Sequence, residues 1–273
     1  MKFTKMQGAG NDYIYVDCFQ GTVQNPEKTA IFVSNRHFGI GSDGLVLICP
    51  SESADVKMRM FNADGSEGIM CGNAVRCVGK YVYDHDLVKK EILTVETLGG
   101  IKVLKLETEA GKVVRATVDM GVPEITSTGV PESICIEGEN QEFVGISMGN
   151  PHAVYFVKDI ETLKLKEIGP FYENHHRFPD RVNSEFVEVI TRSDIRMRVW
   201  ERGSGETLAC GTGATASAVA SILMGYTDDK VKVSLQGGDL LITWNRNTGH
   251  AFMTGPAVEV FHGEIDIPDG LNK

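Results

Sequence analysis

The chain has 273 residues, 42% hydrophobic and 23% charged, with a formal net charge of −10 from 37 acidic and 27 basic side chains. That length accommodates two domains of ordinary size, each with its own core. The acidic balance, with no basic stripe among aromatics, argues against nucleic-acid binding, and the lack of an apolar leader or an eighteen-residue apolar run leads us to expect a cytoplasmic protein without a membrane partner.

Residues 3–6 and 13–18 read as short strands around the turn Gly8-Ala9-Gly10-Asn11. Further strands are predicted at 45–49, 56–61, 93–96, 101–107 and 113–119, each bounded by Gly, Asp or Asn. Between them, 71–84 carries apolar residues at 74, 75, 78, 81 and 82, which is a helical spacing. Gly121-Val-Pro123 and the polar run 124–142 read as a crossover. Strands near 143–148, 153–157, 185–191 and 195–200 come next. A small-residue helix over 210–224, which Gly225 can cap, precedes strands at 231–235, 239–244 and 257–261. Each half is thus strand-rich with one long central helix, and the Ala/Ser/Gly/Thr make-up of 210–224 suits a helix gripped on all sides by a curved sheet. The tail after Phe261 is expected to pack back on the first half.

The two halves repeat. Asn62-Ala-Asp-Gly-Ser-Glu-Gly-Ile-Met-Cys71-Gly-Asn matches Glu201-Arg-Gly-Ser-Gly-Glu-Thr-Leu-Ala-Cys210-Gly-Thr at a constant separation of 139 residues. The same separation relates Met58 to Met197, Arg59 to Arg198, Glu67 to Glu206 and Gly10-Asn11 to Gly149-Asn150. A gap-free register from residue 10 to residue 72 signals internal duplication. The expected domains are 1–118 plus 260–273, carrying Cys71, and 119–259, carrying Cys210.

Other motifs fall away on context. Gly39-Ile-Gly41-Ser-Asp-Gly44 fits G-x-G-x-x-G, yet it precedes a strand instead of closing one and opening a helix. Gly211-Thr-Gly213-Ala-Thr-Ala216 follows a turn-like stretch and lacks a nucleotide-binding unit around it. Cys71 and Cys77 are too widely spaced for a zinc pair, so no metal is expected. Six cysteines in this length do not make a disulfide framework, and those at 18, 49, 77 and 135 read as core residues. Lys89-Lys90 and Arg196/Arg198 read as solvated faces.

Cys71 and Cys210 differ from the other four. Each opens a helix, with Gly-Asn or Gly-Thr directly after it, and can present its sulfur to backbone N–H groups that lack helical partners. Such a setting lowers a thiol pKa and brings thiolate within reach near neutrality. The same amides can hold a carboxylate or an enolate-like charge. A symmetric pair of acid–bases suits a substrate and product that are mirror-related at one carbon: one thiolate removes the α-proton and the opposing thiol donates to the other face, without any cofactor.

With these stretches the sequence resembles the diaminopimelate epimerase family over essentially its whole length. The matching segments are Met6-Gln-Gly-Ala-Gly-Asn11-Asp12-Tyr13, Arg36-His-Phe-Gly-Ile-Gly-Ser-Asp43-Gly, Phe61-Asn-Ala-Asp-Gly-Ser66, Cys71-Gly-Asn-Ala-Val-Arg-Cys77, Gly149-Asn-Pro-His152 and Glu201 through Ala214. The resemblance implies two pseudo-symmetric α/β (α+β) domains, each a barrel-like mixed sheet around a central helix, acting as a homodimer on LL- and meso-diaminopimelate in lysine and cell-wall precursor synthesis. It implies Cys71 and Cys210 as the acid–bases, with His152 beside them. Glu201 would take the α-ammonium, and Gly72, Asn73, Gly211 and Thr212 would surround the reacting carboxylate. Asn11, Asn62, Asn150, Asn183 and Arg202 would hold the substrate, the guanidinium gripping the distal carboxylate. Two positions depart from the family pattern: Gly44 stands where some members have a substrate-contacting Gln, and Phe261 where some have a Tyr linked to dimer packing.

Read without the family, Asn11 and Asn62 also suit plain turns, Glu201-Arg202 suits a surface charge pair, and His152 suits a loop. Three other functions compete. A proline or hydroxyproline racemase would have Cys-Gly-His where Asn73 stands. A thiol hydrolase would pair one cysteine with His152, and a binding protein would close on a dicarboxylate without chemistry.

Overall fold

Lys2–Gly8 (β1) and Asn11–Asp17 (β2) form the opening hairpin of a computed structural model that describes residues 1–271. Gly8 pairs with Asn11, so the loop is Ala9 and Gly10, with φ of 56° and 83°. Two successive left-handed residues match a two-residue turn to the twist of its strands, and they deliver Asn11 to the first position of β2. Strand β2 then runs parallel to Gly44–Cys49 (β3). Parallel neighbours need a crossover, and the helix Pro26–Ser34 (α1) supplies it; the sequence reading does not anticipate this helix. Val56–Asn62 (β4) returns antiparallel to β3, with Gly44 paired to Asn62. Glu67–Gly68 (β5), the helix Gly72–Asp84 (α2), Ile92–Thr97 (β6), Gly100–Glu109 (β7) and Lys112–Gly121 (β8) follow.

The second half runs through Glu124–Ile125 (β9), Glu132–Ile136 (β10), Glu139–Ser147 (β11) and Pro151–Phe156 (β12). Residues 124–142 are therefore not a plain crossover. Strands β10 and β11 pair as a hairpin that turns at Glu137 and Gly138, both at positive φ. Leu165–Glu173 (α3) links β12 to its parallel neighbour Asn183–Thr191 (β13). Asp194–Glu201 (β14), Gly205–Thr207 (β15), the helix Gly211–Leu223 (α4), Lys230–Leu235 (β16) and Gly238–Trp244 (β17) come next. Ala251–Pro256 (β18) and Val258–Glu264 (β19) close the chain.

Two compact units result, Met1–Val118 with the chain from Gly255 onward, and Asp119–Thr254. The return comes at Gly255, where the sequence reading puts it at 260; residues 272 and 273 of that expected segment lie outside the described residues. Both units are mixed α/β, and they share a plan. The separation of 139 carries α1 onto α3 and α2 onto α4 with identical bounds. It also carries the strand pair Leu45–Phe61 onto Ser184–Trp200. Even the ion pair Arg59–Glu67 recurs as Arg198–Glu206. Arg198 is not solvated, as the sequence reading has it: its guanidinium also donates to the carbonyls of Ile160 and Leu163.

Each central helix is held by strands of its own unit. Helix α2 packs against β1, β2, β6, β7 and β19. Helix α4 packs against β11, β12, β13, β14, β16 and β17, and every residue from Gly213 to Ile222 is buried. Small side chains allow that close approach. Two of its buried hydroxyls bond back one turn, Thr215 to the Gly211 carbonyl and Ser221 to the Ser217 carbonyl, and the Ser217 hydroxyl reaches Met197 Sδ, so the helix's own hydroxyls are satisfied.

Candidate active site

In the first unit, Asn11 at the start of β2, Asn62 at the end of β4 and the N-terminus of α2 mark one end of the sheet. Cys71 is the N-cap of α2, with extended backbone, and its Sγ accepts the Ala74 N–H at 3.5 Å. The Cys71 thiol donates to Asn11 Oδ1 at 3.3 Å. Asn11 is itself oriented, because its Nδ2 donates to Asp43 Oδ2 at 2.9 Å. Asp43 also accepts the Asp12 N–H at 3.1 Å, and burial holds its carboxyl above the usual range. Within α2, Arg76 is fully buried and donates to Gly72 O, Asn73 Oδ1 and Pro256 O at 3.1–3.2 Å.

The second unit repeats the arrangement with more titratable groups. Cys210 caps α4, and its Sγ accepts the Gly213 N–H at 3.4 Å. Thr212 Oγ1 lies 3.4 Å from the same sulfur and accepts from Asn150 Nδ2 at 3.3 Å. Asn150 Oδ1 meets His152 Nε2 at 3.1 Å, and His152 Nδ1 meets Glu185 Oε1 at 2.7 Å. Glu201 accepts a hydrogen bond from the Thr207 hydroxyl. Its carboxyl is pushed up, mainly by burial, while the Thr207 hydroxyl and the Cys210 thiol pull it back. Burial, then the carboxylates of Glu201 and Glu185, push the Cys210 thiol well above its ordinary value. The lowered pKa expected from a helix N-terminus is therefore overturned at Cys210: Thr212 and the Gly213 amide do favour the thiolate, but desolvation beside two acids outweighs them.

The family model of diaminopimelate epimerase matches residues 3–126 and 144–260. A diaminopimelate epimerase of Acetivibrio thermocellus is 57% identical, across 98% of this chain and 99% of its own length. The chain belongs to the diaminopimelate epimerase family. A diaminopimelate epimerase of Methanococcus maripaludis is 55% identical across 98% of this chain and 100% of its own. The solved structure of a probable proline racemase from Agrobacterium radiobacter K84 aligns with a TM-score of 0.76, covering 98% of this chain and 93% of that one; at 14% identity it shows the fold alone.

Among the residues expected from the family resemblance, Asn11 touches Cys71 in the first unit, while Asn62 bonds to Ser66 within its own turn. The Asn73 side chain is buried against Arg76, which leaves the backbone at Gly72 and Asn73 as the group α2 can offer a ligand. In the second unit Asn150, His152, Thr212 and Cys210 form one hydrogen-bonded line. Asn183 accepts the Arg202 N–H at 2.9 Å and donates to Pro151 O, and the exposed Arg202 guanidinium rests on Asp180 O at 3.1 Å. Gly44 admits no side chain on this backbone, since a Cβ there would lie 2.0 Å from Phe61 O. The cysteines expected in the core divide: Cys18 and Cys77 are buried, Cys49 is half-buried and Cys135 is exposed. Sequence reasoning missed Glu185, Asp43 and Arg76. Glu185 left one trace, an acid among five consecutive residues, 183–187, that all turn out buried.

Proposed function

We propose that this enzyme interconverts LL- and meso-diaminopimelate by moving the α-proton between Cys71 and Cys210. The observation that carries the reading is the duplicated cap. In each unit the residue before the central helix is a cysteine whose sulfur accepts a first-turn amide, within a chain 57% identical to a diaminopimelate epimerase.

The chemistry follows from what surrounds each sulfur. Removing a proton from the α-carbon of an amino acid builds negative charge on its carboxylate, and the first-turn amides of α2 and α4 are preorganised donors for that charge. Cys210, pushed up by burial and two acids, starts as a thiol and therefore as the proton donor; in that direction Cys71 first loses its own thiol proton to solvent and, as thiolate, takes the substrate proton. Microscopic reversibility exchanges the roles for the other epimer. Glu201 is assigned the substrate ammonium, and Arg202, with Asn62 and Asn183, the distal carboxylate, for which a planar guanidinium is the fitting donor. Nothing in this route calls for a cofactor. No helix among the described residues is long and apolar enough to cross a membrane. We assign the enzyme to the cytoplasm and to a homodimeric state, as family readings that sedimentation and fractionation can check.

Deuterium exchange tests the mechanism. In heavy water the wild type is expected to incorporate deuterium at the α-carbon of diaminopimelate, and Cys71→Ala and Cys210→Ala are each expected to lose at least about a thousandfold in epimerisation. Epimerisation at the normal rate by either variant would sink the two-base assignment. Exchange on proline in place of diaminopimelate would redirect the substrate.

A further inference from the structure

We propose that Glu185 is a positioning residue for the sulfur of the second unit: it holds His152 and, through Asn150 and Thr212, keeps the Thr212 hydroxyl proton aimed at Cys210. The proposal rests on the reading of Cys210 as an acid–base group.

Glu185 lies inside β13 with no exposed surface, and its Oε2 is buried without a hydrogen-bond partner. A carboxylate in that position has to be compensated. Two features do so. His152, 1% exposed, meets Oε1 at 2.7 Å, and the first turn of α4 lies so close that a Cβ on Gly213 would sit 2.6 Å from the same oxygen. A helix N-terminus favours negative charge.

From there the hydrogen bonds run in one sense. Carboxylate and amide oxygens only accept, so His152 donates from Nδ1 to Glu185 and from Nε2 to Asn150 Oδ1. Asn150 must then turn its Nδ2 to Thr212, whose oxygen is occupied as acceptor and whose single proton is left for the sulfur. The Gly213 N–H is the second donor there. When Cys210 gives up its proton, these two donors hold the thiolate. Were His152 to carry one proton only, Asn150 could turn over and offer its oxygen to Thr212. The hydroxyl would then accept from the thiol and favour the protonated sulfur. Glu185 fixes the first sense by giving the ring a buried counter-charge. The charged groups facing Cys210 are Glu201 of β14 and Glu185 of β13, with His152 of β12 behind Asn150.

The test is the pH dependence of Cys210 alkylation by iodoacetamide, read by peptide mass spectrometry in wild type, Glu185→Gln, Thr212→Val and the double variant. Both single variants are expected to need a higher pH for half-maximal labelling, the loss of the line in Glu185→Gln outweighing the removal of a carboxylate that by itself raises the thiol, and the double variant no more than either, because they cut one line. Steady-state turnover should fall about 100-fold in the single variants with little change in KM, the scale of a misplaced reacting group. Glu185→Gln labelling at lower pH, as removal of a bare neighbouring charge would give, overturns the proposal, and so does additivity in the double variant. If Glu185→Gln does not melt cooperatively, nitrogen-15 spectra of wild-type His152 decide, with protons on both ring nitrogens expected and a neutral ring fatal. Neither alkylation nor the ring spectrum depends on the substrate, so a chain inactive on diaminopimelate would refute the function without touching this result.

Discussion

A thiol's surroundings, more than its place on a helix, set what it does here. Cys210 and Cys71 hold the same capping position, yet burial beside Glu201 and Glu185 keeps Cys210 protonated. Cys49, outside the site, goes the other way: the Cys18 thiol, Arg59 and Lys57 bring it down to about 7. Cys77, wholly buried in α2, is pushed up to about 11 by desolvation. The sign is direct, since a lowered thiol pKa means thiolate above that pH and a raised one means thiol until that pH is passed. Alkylation at pH 8 should therefore mark Cys49 well ahead of Cys77, which should react only on unfolding; early labelling of Cys77 would contradict the packing. The two helix-capping cysteines were legible in the sequence because the duplication marks them. Glu185 was not. Its role depends on which strand neighbour faces it across β12 and β13, and a single strand's residue pattern carries no information about that.

At the level of elements, the sequence pattern found the two central helices and most strands, but neither crossover helix. Helix α1 has the readable signs, Pro26 in its first turn and Ala30 and Val33 buried, but α3 carries Pro170 in its interior, which reads as a breaker. The demand for both comes from parallel pairing of β2 with β3 and β12 with β13, a long-range fact. Central helix α2 depends on a group that the pattern alone would place on a surface. Arg76 is buried, its guanidinium is pulled down by desolvation, and it ties Gly72 O and Asn73 Oδ1 to Pro256 O of the returning chain. Methionine would fill the volume and withdraw the side-chain donor from Asn73 Oδ1 and Pro256 O, while Gly72 O keeps its helical partner. Arg76→Met is expected to lose about 3 kcal/mol in urea denaturation, since each buried orphan costs about 1–3 kcal/mol and some is recovered by no longer burying a charge. A change within 0.5 kcal/mol, the ordinary range for surface sites, would show the tether to be slack.

For the whole chain, duplication explains why the termini belong together. Each unit sets a strand beside its first long one: β11 receives β9 from within its own continuous stretch of chain, whereas β1 is paired by β19, about 250 residues later in the sequence. That pairing runs from Lys2–Glu264 to Gln7–Val258 with a bulge at Lys5/Met6. The Met1 ammonium donates to Ile265 O at 2.6 Å, and Phe3 meets Phe261 edge-on at 5.9 Å. Phe261 thus has a packing partner inside its own unit, and the absence of a Tyr hydroxyl there costs that contact nothing. The second unit is continuous in sequence, while the first is complete only when the last strand has been made. A chain ending at Pro256 would expose β1 as an unpaired edge next to an uncovered Phe3, an invitation to aggregation. Such a truncation should therefore lose the first unit selectively: limited trypsin digestion is expected to degrade 1–118 and leave a resistant fragment near 119–254, whereas the full chain resists throughout. Equal resistance of both units in the truncated chain would mean that β1 is held by its hairpin with β2 alone.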